Sequence, residues 1–234
     1  MRSPFDVLAG LEAREPGSRA PLVVLDLDST LIDTAPRHRA ILEAFAAAEA
    51  PELRALLPHI PPSVIGWSAS DNLQEHGVEP SLVARYEAFW AARFFDGAWC
   101  RHDTATEGAV AYVQRVLEAG GVAYYLTARP APTMGHHTVQ RLSALGFPIL
   151  RGRAVLHMKP SVSLDDGRFK RSALREAAQL GEVVASFENE PAHANALLAA
   201  FPTAQHFLVG DVRSPRGPEP DPAVIPIRDF LAPR

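Results

Sequence analysis

The feature that most constrains the fold is a repeated alternation of short apolar runs with stretches of helical periodicity. The first run, PLVVLDL at 21–27, is unbroken and holds two carboxylates near its end, which is typical of a buried parallel strand. Four further runs, VAYYLTAR, RAVLHM, EVVASFENE and QHFLVGD, are each preceded by a stretch with helical spacing of apolar residues. This rhythm predicts an α/β three-layer sandwich with a central parallel, Rossmann-like sheet.

The block 36–99 differs from the rest because it shows helical spacing without a convincing strand. Ile41 and Phe45 share one predicted helix face, and Val83 and Tyr86 share another. We therefore predict an α/β core made of 1–32 and 104–234, with a helical cap at 33–103. The three tryptophans are predicted to lie in the cap core, with a pocket wall as the alternative: Trp67, Trp90 and Trp99.

Composition limits the partners of the 234-residue chain. Its net charge of −4 lacks the basic footprint of a nucleic-acid binder, so no nucleic-acid partner is expected. No apolar run reaches the length of a membrane span, and no membrane partner is expected either. One cysteine, Cys100, excludes an intrachain disulfide and favours a reduced, cytoplasmic location. The sequence leaves the oligomeric state open.

Polar side chains cluster where three of the apolar runs end. In open parallel sheets, ligands bind outside the carboxyl ends of the strands, so these clusters are expected to meet around one pocket. They are Asp26 with Asp28, Thr127 with Arg129, and Glu188 with Asn189 and Glu190.

The residue types at these ends suit phosphate chemistry. Two neighbouring carboxylates, Asp26 and Asp28, attract a hard cation or divide into nucleophile and acid–base catalyst. The non-catalytic alternative is a solvated turn in which the aspartate oxygens accept hydrogen bonds from the backbone. The hydroxyl of Thr127 and the guanidinium of Arg129 suit phosphate oxygens, although a helix cap and a surface arginine explain them equally simply.

A lysine and a second acidic cluster complete the set. Lys170 lies at the start of a predicted helix, where an ammonium opposes the helix dipole unless it serves an anion. Lys159 also follows a strand and is the alternative, and a plain exposed lysine is a third explanation. The oxygens of Glu188 and Asn189 suit Mg²⁺, unless the acids merely favour the first turn of the next helix.

In this order, the segments DLDSTL, LTAR, a lysine at a helix start and SFENEP resemble the haloacid-dehalogenase (HAD)-like hydrolase superfamily, phosphatase type. The resemblance covers roughly 22–30, 106–147 and 165–201, and the 36–99 block stands where family members carry a cap domain. Two departures are visible. Ser29 replaces a common glycine, and Glu-Asn-Glu replaces an aspartate-based fourth motif.

The resemblance implies a role for each matching residue. Asp26 would attack the phosphoryl group and form an aspartyl-phosphate, and Asp28 would serve as acid and base. Thr127 and Lys170 would hold the transferring oxygens. Mg²⁺ would be bound by Asp26, the Asp28 carbonyl, Glu188 and, as a further ligand, Asn189. We also predict that Arg129 and Ser29 contact substrate.

These implications predict a Mg²⁺-dependent phosphatase that hydrolyses a small phosphorylated metabolite. A second Asp in the first motif favours phosphoryl transfer within the resembled family, and a phosphomutase of the same superfamily is the alternative enzyme. A non-catalytic binding protein that retains the fold is the alternative outside enzymes, supported by the altered metal motif. His136 and His137 receive no role, and the natural substrate is not readable from the sequence.

Overall fold

A computed structural model describes residues 3–15, 17–149 and 152–232. The strands found among these residues are β1 Pro21–Leu25, β2 Ile32–Asp33, β3 Thr104–Ala105, β4 Val122–Pro130, β5 Ala154–Lys159, β6 Glu182–Glu188, β7 Gln205–Val209 and β8 Ile225–Ile227. The α-helices are α1 Pro4–Glu12, α2 Ala35–Ala48, α3 Ala69–Glu75, α4 Pro80–Phe94, α5 Ala109–Glu118, α6 Ala131–Leu145, α7 Asp166–Leu180 and α8 Pro191–Ala200.

Six strands form one parallel sheet in the order β5-β4-β1-β6-β7-β8. Strand β1 is central, and the chain leaves it toward β4 on one side and returns to β6 on the other. The strand order therefore reverses at β1, which is where open α/β sheets bind ligands. The five predicted sheet strands are confirmed. The edge strand β8 was not predicted because it has three residues with Pro226 in the middle, which an edge strand tolerates.

Alternate residues of β1 face opposite layers, as the pleat of a strand requires. Val23 and Leu25 pack in a cluster with residues of α1 and α5. Leu22 and Val24 pack in a second cluster with residues of α7 and α8. Helices thus cover both faces of the sheet, which confirms the predicted three-layer α/β sandwich.

The segment between β2 and β3 is helical, as predicted, and has a hydrophobic cluster of its own. Helices α2, α3 and α4 and several 3-10 turns pack around Phe45, Leu73 and Tyr86. The antiparallel pair of β2 with β3 closes the base of this insertion, since Ile32 pairs with Ala105. In the part of the chain that the structure describes, no helix is both long and apolar enough to span a bilayer.

Candidate active site

A cavity of about 510 Å³ lies between the carboxyl ends of β1, β4 and β6 and the helical insertion. All the site residues that the sequence predicts contribute to its lining: Asp26, Asp28, Ser29, Thr127, Arg129, Lys170, Glu188 and Asn189. The cavity thus collects side chains from segments that are remote in sequence, as the strand-end pattern predicted.

Lys170 lines the cavity and joins two acids. Its Nζ atom donates a hydrogen bond of 2.7 Å to Asp26 Oδ1 and one of 2.8 Å to Glu188 Oε2. All three side chains are buried. Burial alone would lower the pKa of Lys170, but the two carboxylates raise it, so the ammonium stays charged. Lys159 instead lies 2.5 Å from Asp166, so the structure places Lys170 beside Asp26.

Asp26 lies in a buried environment beside a second carboxylate. Burial and the nearby Glu188 carboxylate raise its pKa, although Lys170 opposes them. Its second oxygen, Oδ2, accepts a 3.1 Å hydrogen bond from the hydroxyl of Thr30, which is fully buried. The sequence prediction did not include Thr30. The sequence feature that could have identified Thr30 is a hydroxyl residue four positions after Asp26, where the loop after β1 turns back.

Asp28 is held by two arginines. Arg129 reaches it with Nε at 3.0 Å from Oδ2 and Nη2 at 2.6 Å from Oδ1, and Arg37 donates to Oδ1 at 2.9 Å. Burial would raise the pKa of Asp28, but the guanidinium groups of Arg129 and Arg37 lower it well below its usual range. Asp28 is therefore an ionised hydrogen-bond acceptor in this arrangement.

The same two arginines share a second, fully buried acid. Asp103 accepts from Arg37 Nε at 2.7 Å and from Arg129 Nη2 at 2.8 Å. We name the set Arg37, Asp28, Arg129 and Asp103 the arginine clamp. The site residues predicted from the sequence include neither Arg37 nor Asp103. One signal was available, because Arg37 shares a helix face with Ile41 and Phe45, where an apolar residue is expected.

The clamp changes the role given to Arg129. The prediction made it a substrate-binding residue, but its guanidinium is committed to Asp28 and Asp103 and is only 3% exposed. The Arg129 guanidinium therefore fixes Asp28 in this structure, and its contact with a substrate stays a prediction. Thr127, by contrast, keeps its predicted place, with Oγ1 accepting from the backbone N–H of Arg129 at 3.2 Å. The hydroxyl proton of Thr127 can be donated to a ligand.

Two further predicted residues are positioned through the backbone. Ser29 has φ 57°, a left-handed conformation that explains why glycine suits this position. Asn189 donates its side-chain amide to the carbonyl of Val212 at 2.7 Å, and its amide oxygen is the atom that remains for a metal.

His193 also lines the cavity, with Nδ1 3.6 Å from Glu188 Oε1. His136 and His137 do not contribute to the described lining.

The donor set fits a hard divalent cation. Asp26 and Glu188 are two buried carboxyl groups bridged by a single ammonium, so this trio has net charge −1 when both acids are ionised. Oxygen donors with excess negative charge are what Mg²⁺ prefers. Among the described residues, however, no three His, Cys, Asp or Glu side chains group as a metal cluster. A cation here would need backbone, amide or substrate oxygens as well.

The insertion supplies an aromatic wall opposite the acids. Trp90 stacks on Phe94 with ring centroids 4.6 Å apart, and both rings line the cavity. Trp67 also lines it and is 51% exposed, so the expectation that it lies in the cap core is wrong and the pocket-wall alternative holds. Trp99 is partly buried beside the hydrophobic cluster of the insertion, as predicted.

The arginine clamp makes the free energy of unfolding depend on pH, and acid lowers it. The pKa of Asp28 is lower in the folded chain than in the unfolded one, so the folded state binds fewer protons as acid is added. The stabilisation by ionised Asp28 is therefore complete above about pH 4, the ordinary pKa of an aspartate, and is lost below it. We expect Asp28→Asn to make the fall in unfolding free energy between about pH 4 and pH 2 less steep.

Urea unfolding at stepped pH measures this slope. The exposed aspartate of α3 supplies the control variant Asp71→Asn, which also removes a carboxylate but none of the clamp. Equal slopes for the parent and Asp28→Asn would contradict the assignment of Asp28 as an ionised member of the clamp.

Comparison with known proteins supports the fold. No protein-family model and no curated protein sequence matches the chain. CbbY from Rhodobacter sphaeroides in complex with phosphate is 21% identical, covering 91% of this chain and 95% of that one, with a TM-score of 0.51. A mutant of CbbY in complex with xylulose-(1,5)bisphosphate gives 20% identity, the same coverage and a TM-score of 0.51.

Protein Tyrosine Kinase A (PtkA) of Mycobacterium tuberculosis is 17% identical over 89% of this chain and 94% of that chain, with a TM-score of 0.52. The chain spans 61% of the length of the class C acid phosphatase from Bacillus anthracis.

Fold and cavity together define an α/β sandwich with a helical insertion over the carboxyl edge of its sheet. More particularly, the chain shares the fold of CbbY, and the predicted fold class is confirmed.

Proposed function

We propose that the protein is a Mg²⁺-dependent phosphatase that hydrolyses a small phosphomonoester through an aspartyl-phosphate on Asp26. The observation that carries this proposal is the bridge from Lys170 to Asp26 and Glu188, beside the hydroxyl of Thr127 and at the carboxyl ends of three adjacent strands. The phosphate and the sugar bisphosphate in the CbbY crystal structures support a phosphorylated substrate.

In the first step, an oxygen of Asp26 attacks phosphorus in line and forms an acyl phosphate while the bond from phosphorus to the ester oxygen breaks. The leaving oxygen takes the electron pair of that bond and needs a proton if it belongs to an alkyl alcohol. Lys170 and Thr127 donate hydrogen bonds to the phosphoryl oxygens, whose negative charge shifts during the transfer.

In the second step, water attacks the phosphorus of the aspartyl-phosphate and the bond from phosphorus to the Asp26 oxygen breaks. Asp28 accepts a proton from this water, for which an ionised carboxylate is the required form. An alkyl leaving oxygen would take its proton from the fraction of the protein in which Asp28 is protonated, and the arginine clamp keeps that fraction small. Substrates whose leaving group needs no proton should therefore react fastest.

Asp26, the backbone carbonyl of Asp28, Glu188 and the amide oxygen of Asn189 would hold Mg²⁺, which, when bound, offsets the repulsion between the carboxylate nucleophile and the phosphate dianion. Residues 33–103 would act as the cap that covers the cavity, and 1–32 with 104–234 as the catalytic core. A cap of this kind excludes water and selects the substrate.

Hydrolysis of p-nitrophenyl phosphate, whose leaving group needs no proton, tests the proposal. We expect turnover that requires Mg²⁺ and is lost with a chelator. Glu188→Gln should raise the Mg²⁺ concentration for half-maximal rate by at least about tenfold, because an anionic ligand is lost and even outer-shell partners cost that much.

The control is Glu176→Gln, since Glu176 is an exposed acid of α7 outside the described cavity lining. An unchanged metal titration in Glu188→Gln would move the metal site elsewhere. If no phosphoester in a broad panel turned over with Mg²⁺ present, the proposal would fail and a non-catalytic binding protein would be favoured.

A further inference from the structure

The insertion presents one face of α4 to the cavity. Glu87, Trp90, Ala91 and Phe94 all line it, and their spacing of three, four and seven residues places them on one side of a helix. Phe95, the residue directly after this helix, continues the wall. This face therefore lies where the leaving group of a substrate bound at Asp26 would extend.

Ring surface on this wall is open to a ligand. Trp67 and Phe95 are 51% and 39% exposed, although both are large and apolar. Trp90, Phe94 and His38 pack against one another, with ring centroids 4.6 Å apart for Trp90 and Phe94, 5.6 Å for Trp90 and His38, and 4.8 Å for His38 and Phe94. The inner rings are thus fixed by stacking, and the outer two supply free aromatic faces and edges.

The charge on this wall is negative. Of the cavity-lining side chains that the described part of the insertion contributes, Glu87 is the one with a formal charge. His38 does not offset it, because its Nδ1 accepts a 3.0 Å hydrogen bond from Trp90 Nε1 and burial lowers its pKa to about 3. A second phosphate on the substrate would meet a carboxylate here instead of a cation.

We propose that the substrate is a phosphomonoester whose alcohol carries an organic cation, which is bound by the aromatic wall together with Glu87. This inference rests on the proposed phosphatase function and names its substrate class. Aromatic rings attract a quaternary or protonated amine through their faces, with tryptophan the most effective. A neutral aryl group would use the rings but would offer no positive charge to the Glu87 carboxylate, which is exposed in the free protein.

A pair of substrates of the same shape isolates the charge. Choline phosphate and 3,3-dimethylbutyl phosphate differ in one atom, a quaternary nitrogen in place of a carbon. We expect kcat/KM for choline phosphate to exceed that for the neutral ester by about fivefold or more, the factor for one cation–π contact. An equal or higher kcat/KM for the neutral ester would overturn the proposal.

Substitutions in the aromatic wall show which side chains cause the preference for the charged ester. Glu87→Gln should lower the ratio of the two kcat/KM values toward one, and Trp67→Ala should also lower it. The control is Glu75→Gln, since Glu75 is an exposed acid of the insertion outside the described cavity lining, and the ratio should be unchanged. A ratio that is the same in Glu87→Gln as in the parent would refute the role of Glu87.

Binding without catalysis separates this inference from the proposed function. Choline alone should change the tryptophan fluorescence of the parent protein in a saturable manner, and Glu87→Gln should weaken this binding several-fold. If choline binds but no phosphoester turns over, the phosphatase function fails and the cation site stands. If phosphoesters turn over but choline neither binds nor inhibits, the cation site fails and the phosphatase function stands.

Discussion

Replacing Asp26 with asparagine should abolish turnover, with kcat lower by about 10⁴-fold or more, as for loss of a catalytic nucleophile. The amide oxygen of asparagine is a far weaker nucleophile toward phosphorus than a carboxylate, although it occupies nearly the same volume. The substitution also removes one of the two anions that hold Lys170. Rates with p-nitrophenyl phosphate at saturating Mg²⁺ measure the loss.

Acid quenching during turnover supplies a second measurement. The parent should yield a phosphorylated protein whose linkage has the lability of an acyl phosphate, and Asp26→Asn should yield none. Asp33→Asn is the matched control, because Asp33 lies in the same segment, is exposed and accepts only from the backbone of Ala35 among the described contacts. Substantial turnover or phosphorylation in Asp26→Asn would show that another residue is the nucleophile.

The sequence predicts the sheet and the floor of the cavity for the same physical reason. A strand buried on both faces must be apolar along its length, so the place where its polar residues begin marks its carboxyl end. Asp26, Thr127 and Glu188 follow that rule, and the topology alone then brings them together. The choice between Lys159 and Lys170 depended on which lysine faces β1, and tertiary packing decides this.

The arginine clamp and the aromatic wall were less predictable. Arg37 and Asp103 are 66 positions apart, and each looks like an ordinary polar residue until the insertion folds back. Large apolar residues are expected both in a core and on a pocket wall, so Trp67 could not be assigned from its type. Only the packing of the insertion against the sheet edge separates the two cases.

Loss of Asp103 should destabilise the fold strongly. Its carboxylate and both arginines that it joins are buried, at 0% exposure for Asp103 and for Arg37. The clamp connects α2, where the insertion begins, with the segment where it ends and with the carboxyl end of β4. Two guanidinium groups and two carboxylates balance there, so removal of one acid leaves a buried positive charge.

We expect Asp103→Ala to lower the free energy of unfolding by about 3–5 kcal/mol, the cost of breaking a buried ion pair by removing one partner. Urea unfolding at neutral pH measures it. Glu49→Ala is the control: it breaks the exposed ion pair with Arg85 and should cost less than about 1 kcal/mol. Comparable losses in the two variants would mean that Asp28 and solvent satisfy both arginines, so Asp103 would not be needed to hold Asp28 beside Asp26.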